Sequence, residues 1–432
     1  MATAGTTTTA STTAGGTYEE RLAYAGERLN LRGAMWRYCV QSGLYWVAWC
    51  PIAYASTYLL GRGMAPTLVG TVLALGSLCS LFIQPPIALT ADGGGTTSIR
   101  TLAVALASGI TVSFAIALFT HNVIAMSACI VFGLMLAQNL SALSNAVSVY
   151  YVNRGAKMNY GLARGIGSAS WSLTSLVIGT LTAAYGTDAI MWLALGTNIA
   201  MTLGFMMLPT PKDVPPVTCE DVPAAEEAIE ERERSGGQSY VGFLKGHKSF
   251  LLVVLGFSMC FVMGNIIMSY VLPIMGRVGG GPQEMGVALA ISAMSELPAM
   301  FSMQALQRRI PTARILSVAA VGYVAKHLVI VFATSIGMLY LGYGLQMVSY
   351  AIYTPCSVYY CNQHFGEGDK NKAIGLMVMV NPISAMVGNF AGGLLTDVFG
   401  VGAALVFGLA LSIVGAVVAL AGLMPELRAE RA

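Results

Sequence analysis

Long apolar segments of about twenty residues recur along the whole chain, separated by short polar breaks. A segment of that length crosses the hydrocarbon core of a bilayer as an α-helix. The pattern predicts an all-α membrane protein with about twelve transmembrane helices. The expected spans lie near residues 35–60, 67–90, 101–120, 123–150, 161–185, 189–208, 250–275, 285–306, 315–334, 337–361, 373–395 and 402–424.

The pattern is interrupted once, in the middle of the chain, by a polar stretch containing several prolines and a run of acidic and basic residues. Such a composition is typical of a solvated linker. We therefore expect two six-helix halves, with polar segments before, between and after them. The predicted divisions are a disordered N-terminus with a short surface helix (1–33), the N-terminal half (34–208), the linker (209–248), the C-terminal half (249–424) and a tail (425–432).

Composition agrees with a membrane protein, because 56% of the 432 residues are hydrophobic and only 10% are charged, whereas about a quarter are charged in soluble domains. The eight cysteines form no CxxC motif or Cys/His metal spacing, so we expect no metal site. With an even number of spans, most of the 23 Lys and Arg residues fall on the side of the linker and both termini. The positive-inside rule then predicts cytoplasmic termini and an inner-membrane location.

Arg164 lies inside the fifth expected span, where a charge costs about 2.5–3.5 kcal/mol on insertion scales. Trp171 follows seven residues later, about two helical turns, and so shares a face with Arg164. Glycines at 161, 165 and 167 would let a neighbouring helix approach closely. The pattern favours a binding site. The alternative is an arginine that extends to the membrane surface, since Arg164 is near the start of the span.

Two other ionisable residues lie deep in expected spans, Glu296 in the eighth and Lys326 in the ninth. Such residues face the bundle interior or a water-filled cavity and mark substrate or ion pathways. Each also has a structural interpretation, as a packed neutral acid or as an ion-pair partner. Glu296 is the candidate for proton coupling.

Uncharged polar residues complete the candidate site. In the tenth span Gln346, Tyr350 and Tyr353 recur at helical spacing and predict a polar stripe. Asn265 lies in the seventh span, although a lone amide is more often a contact between helices than a ligand. Tyrosines and tryptophans of the first span are typical of an interfacial belt.

The loop after the second span places Asp92 before a glycine turn and Arg100 after it. This arrangement resembles the cytoplasmic loop signature of the major facilitator superfamily, in which the acid latches the cytoplasmic side. The corresponding loop of the second half, residues 307–314, keeps basic residues but has no acid. An ordinary turn acid is the other interpretation of Asp92.

The segment Tyr160-Gly-Leu-Ala-Arg164-Gly-Ile-Gly-Ser-Ala-Ser-Trp171 resembles the fifth-helix motif of lactose permease and the related oligosaccharide and nucleoside proton symporters. Met294-Ser-Glu296-Leu resembles the eighth-helix motif of the same family. The resemblance implies that Arg164 hydrogen-bonds the substrate, that Trp171 stacks on it, and that Glu296 contacts it and links it to proton movement. Lys326 takes the place of the family's ninth-helix arginine.

Several positions depart from that family. Its fourth-helix glutamate corresponds to Asn145 or Ala146, and its tenth-helix histidine and glutamate correspond to Gln346 and Ser349. Its charged pair between helices seven and eleven corresponds to Asn265 and Asn381. The resemblance therefore carries the fold and the location of the site, but neither lactose as substrate nor the usual proton carrier.

Together these observations predict a secondary active transporter that moves a small sugar- or nucleoside-like solute by alternating access, coupled to protons. Export, or transport of an organic anion, is the alternative within the same fold. A transport-inactive receptor or a membrane-embedded enzyme is the alternative of another class, although the four histidines are scattered and suggest no catalytic geometry. The expected partners are the substrate, a proton and the lipid bilayer. We expect a monomer with no cofactor and no nucleic-acid partner.

Overall fold

The computed structural model of the chain describes residues 33–92, 99–152, 160–208 and 240–429. These residues form α-helices joined by short connections, because a backbone that crosses a bilayer must satisfy its own hydrogen bonds. The helices are α1 (Ala34–Ala53), α2 (Ala55–Gly61), α3 (Pro66–Asp92), α4 (Ile99–Phe119), α5 (Val123–Val152), α6 (Tyr160–Tyr185), α7 (Asp188–Met206), α8 (Tyr240–Gly246), α9 (Lys248–Ser269), α10 (Val271–Gly276), α11 (Pro282–Gln307), α12 (Thr312–Val331), α13 (Ile336–Gly344), α14 (Tyr350–His364), α15 (Glu367–Phe399) and α16 (Val401–Ala429).

Nine helices in the described ranges are long and apolar enough to cross a membrane unaided. The three other crossings of the twelve-helix fold are the pair α1–α2, helix α6, which carries Arg164, and the pair α13–α14. The predicted all-α fold is confirmed. The last helix continues to Ala429, past the predicted limit of 424. The predicted N-terminal segment up to residue 32 and linker residues 209–239 lie outside the described residues.

The tenth crossing is not a continuous helix. Helix α13 ends at Gly344, a 3₁₀ turn follows over Leu345–Val348, and α14 begins at Tyr350. The Ser349 hydroxyl donates to the carbonyl oxygen of Leu345 (3.1 Å), a carbonyl at the break. Helix α12 packs closely here, because a Cβ at Gly322 would collide with the carbonyl oxygen of Val348. The predicted polar stripe of Gln346, Tyr350 and Tyr353 therefore spans an interruption of the α-helix.

The helices alternate in direction, so the two ends of the bundle can be distinguished. We call the end where α7 finishes and α8 begins the linker end, and the opposite end the far end. At the far end the two halves meet through two pairs of glycines. Gly70 of α3 lies against Gly393 of α15, and Gly179 of α6 lies against Gly286 of α11.

Each glycine pair brings two backbones into contact. A Cβ added at Gly179 would lie 2.8 Å from the carbonyl oxygen of Pro282, and one added at Gly286 would lie 2.5 Å from that of Ser175. A hydrogen bond from Thr67 to Asp397 (2.6 Å) also joins the halves at this end. One buried apolar cluster combines residues of both halves, including Tyr54, Ile178, Met285 and Leu405. The bundle is thus closed at the far end.

Candidate functional site

Arg164 of α6 meets Glu296 of α11 where these two helices pack across the interface between the halves. The Nη2 atom of Arg164 lies 3.8 Å from Oε2 of Glu296. The adjacent cross-half hydrogen bond runs from the Ser172 hydroxyl to the carbonyl oxygen of Ala290 (3.2 Å). Arg164 and Glu296 are mostly buried, with 19% and 11% of their side chains exposed. A distance of 3.8 Å satisfies an ion pair but is too long for a hydrogen bond.

Arg164 retains most of its hydrogen-bonding capacity. Nη1 donates to the hydroxyl of Ser168 (2.7 Å), one helical turn further along α6. A guanidinium carries five N–H donors, and this is its one hydrogen bond within the described ranges. None of the remaining donors is among the fully buried atoms without a partner in the described ranges, so they are accessible to a polar ligand.

The C-terminal half contributes a continuous polar chain. The Gln346 amide group donates from Nε2 to Oε1 of Glu296 (3.1 Å), and its Oε1 accepts a hydrogen bond from the ammonium of Lys326. Glu296 and Lys326 are both buried. The break in the tenth crossing places Gln346 between them, with its carbonyl towards the cation and its amide hydrogens towards the carboxylate.

Two aromatic rings line the N-terminal side of the site. The guanidinium of Arg164 lies over the ring of Trp46, with 4.3 Å between its Cζ and the ring centroid. Trp171 meets the same ring edge-on, at 5.9 Å between centroids. Gly167 makes room for this indole, because a Cβ there would collide with Trp46. Trp46 therefore contacts both residues of the fifth-helix motif.

The sequence did not single out Trp46 as a site residue. Its neighbours Tyr45 and Trp49 made the first span resemble an interfacial belt, and only the packing of α1 against α6 separates Trp46 from them. Ser168 was missed as well, although its position four residues after Arg164 is a spacing at which helical side chains meet.

The remaining predicted site residues either make contacts other than the hydrogen bonds above or have side chains outside the described residues. Asn265 donates to Phe261 O (2.9 Å) and contacts Asn381 Oδ1 (3.5 Å), which joins α9 to α15. The ring of Tyr350 lies 5.9 Å from that of Phe261. The side chains of Asn145 and Asp92 lie outside the described residues.

Arg100, the other predicted residue of the gate loop, donates from Nη1 to the carbonyl oxygen of Leu208 (3.1 Å), at the end of the N-terminal half. Loop residues 93–98 lie outside the described residues, so the predicted latch between Asp92 and Arg100 stays a prediction. No cluster of His, Cys, Asp and Glu able to hold a metal ion occurs in the part of the chain that the structure describes.

Comparison with known proteins identifies the family. The model described as the MFS_1 like family matches residues 44–407. The chain belongs to this major facilitator family. A search of curated proteins finds no match.

Solved structures of transporters share the major facilitator fold of this chain. The nucleoside transporter NupG superposes with a TM-score of 0.71 at 14% identity, covering 90% of this chain and 98% of NupG. A point mutant of NupG superposes with a TM-score of 0.74 at 13% identity, covering 90% of this chain and 99% of the mutant. A bacterial homologue of the human lysosomal transporter Spinster, in an inward-facing and unoccupied conformation, superposes with a TM-score of 0.64 at 12% identity. The match covers 96% of this chain and 99% of the homologue. At these identities the likeness establishes the fold. The family and these neighbours are transporters, not enzymes.

Proposed function

We propose that this protein is a secondary active transporter that moves a small hydroxylated solute, sugar- or nucleoside-like, by alternating access. The observation that carries the proposal is the spacing of Arg164 and Glu296, which face each other at 3.8 Å with guanidinium donors to spare. A solute hydroxyl can accept a hydrogen bond from Arg164 and donate one to Glu296 at the same time. The site lies between the halves, as expected for a fold built from two repeats.

Trp171 and Trp46 support a ring-shaped solute. Aromatic side chains offer a flat apolar surface beside the polar groups that orient a ligand. The structural neighbour NupG is a nucleoside transporter, which supports the same solute class. We propose that Arg164, Glu296, Trp171, Gln346 and Lys326 contact the solute.

Proton coupling is part of the proposal, with Glu296 as the titrating group. Its carboxylate accepts from Gln346 and faces Arg164 across the interface between the halves. Rearrangement of the halves would change the distance from Arg164, and with it the stability of the charged carboxylate.

Transport of an organic anion is the second candidate. Lys326 and Arg164 bring two cationic side chains to a chain of polar groups that contains one carboxylate. A carboxylate-bearing solute would pair with the additional positive charge.

A ligand-binding screen tests both candidates. Purified protein is heated with uridine, glucose or lactate, and a ligand that binds the native state raises Tm. We expect uridine or glucose to raise it and to be taken up by proteoliposomes in counterflow. A response to lactate alone would replace the first candidate by the second. The absence of binding and of counterflow with every compound would contradict both.

We also propose a monomer in the inner membrane, with one six-helix half at 34–208, a second that begins at 249 and extends to the end of α16 at Ala429, and both termini and the linker in the cytoplasm. The motivation is the excess of Lys and Arg on the linker side. Reporter tags at either terminus and within 209–239 should be accessible only from the cytoplasm. Periplasmic labelling of any one of the three would overturn this orientation.

A further inference from the structure

A cavity of about 440 Å³ lies at the linker end of the C-terminal half. The end of α8, the start of α9 and the ends of α14 and α16 surround it. Because Arg164 and Glu296 face each other at the interface between the halves, this cavity is not part of the transport site.

The rim of the cavity carries two lysines, Lys245 at the end of α8 and Lys248 at the start of α9. Both are exposed. Neither makes an ion pair or a hydrogen bond within the described residues. Because both lysines line the same cavity, an anion bound there would be attracted by two positive charges.

The cavity also contains an acid, whose carboxylate faces α14. Oε1 of Glu426 accepts a hydrogen bond from the Tyr360 hydroxyl (2.6 Å). Its Oε2 lies 3.2 Å from Nε2 of His364. Glu426 is thus held by α14 and does not pair with the lysines, so the lysine charges remain available to a ligand.

The same cavity has an aromatic wall, formed by Phe250, Tyr360 and Phe365. The rings of Phe250 and Tyr360 stack with 6.3 Å between centroids and 12° between planes. Phe365 meets Phe250 edge-on at 4.8 Å. Cationic and aromatic side chains that line one cavity at the end of membrane-spanning helices match the chemistry of a phospholipid at headgroup depth, where phosphate lies beside glycerol and the first acyl carbons.

We propose that this cavity binds the phosphate group of an anionic phospholipid, with Lys245 and Lys248 on the phosphate and the aromatic wall against the glycerol. A bound lipid would link the short helix α8, which follows the linker, to α9, α14 and α16. Free phosphate has the same charge but gains nothing from the aromatic wall, so the lipid is the expected source of the anion.

The test measures Tm of the full-length protein in neutral detergent supplemented with phosphatidylglycerol, phosphatidylcholine or inorganic phosphate at constant ionic strength. We expect phosphatidylglycerol alone to raise Tm, by several degrees. The double variant Lys245→Gln/Lys248→Gln should keep the Tm measured in phosphatidylcholine, since both lysines are exposed, and should lose most of the shift. A matched control is Arg308→Gln/Arg309→Gln, which removes two exposed charges at the same end of the bundle but outside the cavity.

Three results would overturn the proposal. One is an equal shift with inorganic phosphate, which would make the site one for a soluble anion. Another is an undiminished shift in the lysine variant. The third is an equal loss in the arginine control, which would indicate unspecific attraction of anionic lipid to a basic surface.

Discussion

The two halves of the bundle bring different kinds of polar group to their interface. In the C-terminal half, Lys326, Gln346 and Glu296 are joined to one another by direct hydrogen bonds. In the N-terminal half, Arg164 makes one hydrogen bond, to Ser168, lies over the ring of Trp46 and faces Glu296 at 3.8 Å. Among the described residues, the polar groups of the C-terminal half form a connected network, whereas the arginine of the N-terminal half has unused donors.

This difference suggests a division of labour. A connected polar network in a low-dielectric interior holds its charges in fixed positions, which suits the storage and release of a proton. Unused donors beside aromatic rings suit the recognition of a ligand. We therefore expect substitutions in the C-terminal half to alter coupling, and those in the N-terminal half to alter affinity.

The largest effect is expected for Glu296→Gln. The variant keeps the shape of the side chain and its contact with Gln346 but cannot exchange a proton, so accumulation driven by a pH gradient should be abolished while exchange of bound solute persists. Proteoliposome assays of both activities measure the contrast. Glu284→Gln, at the far end of the same helix, is the control and should retain accumulation. If Glu296→Gln still accumulates solute against its gradient, another group carries the proton.

Arg164→Lys should reduce affinity more than tenfold. Lysine preserves the charge but not the planar fork of donors, and a hydrogen bond that involves a charged group contributes about 1.5–3 kcal/mol. Titration of the ligand that raises Tm gives the affinity. Arg62→Lys is the control, because Arg62 pairs with Asp188 (3.0 Å) away from the site. Wild-type affinity in Arg164→Lys would show that Arg164 serves only as a charge.

Lys326→Gln distinguishes the two proposed solute classes. The variant removes one of two cations and leaves Arg164 and Glu296 as a balanced pair. Affinity for a hydroxylated solute should change less than tenfold, whereas affinity for a carboxylate should fall by a larger factor. Competition binding with uridine and lactate compares them. A severe loss of uridine binding would place Lys326 in the recognition of the neutral solute and weaken the contrast between the halves.

The smallest effect is expected for Trp46→Phe. A smaller ring weakens the cation–π contact with Arg164, which contributes about 0.5–2 kcal/mol, so affinity should fall several-fold. The control is Trp49→Phe, one helical turn further along α1, whose ring stacks on Tyr45 at 6.1 Å. Equal losses of affinity in the two variants would indicate a general effect on the packing of α1.

The sequence predicted the fold well because the signals for membrane helices are local. A run of apolar residues of sufficient length specifies a span whatever it packs against, and the polar interruption after residue 208 separates the halves. The cost of charges in apolar segments likewise drew attention to Arg164, Glu296 and Lys326 before any contact was known. A family resemblance then gave these residues roles, which stay predictions.

Tertiary structure alone decided how those residues are connected. Arg164 faces Glu296 because α6 packs against α11. Residues far apart in the chain contribute to this packing, including the glycines at 179 and 286. The position of Gln346 depends on a helix break that no proline marks, and the role of Trp46 depends on the space left by Gly167. Hydropathy describes the free energy of transferring each residue into the membrane. Which side chains contact each other depends instead on the distances and angles between helices, and these are fixed only when the helices pack.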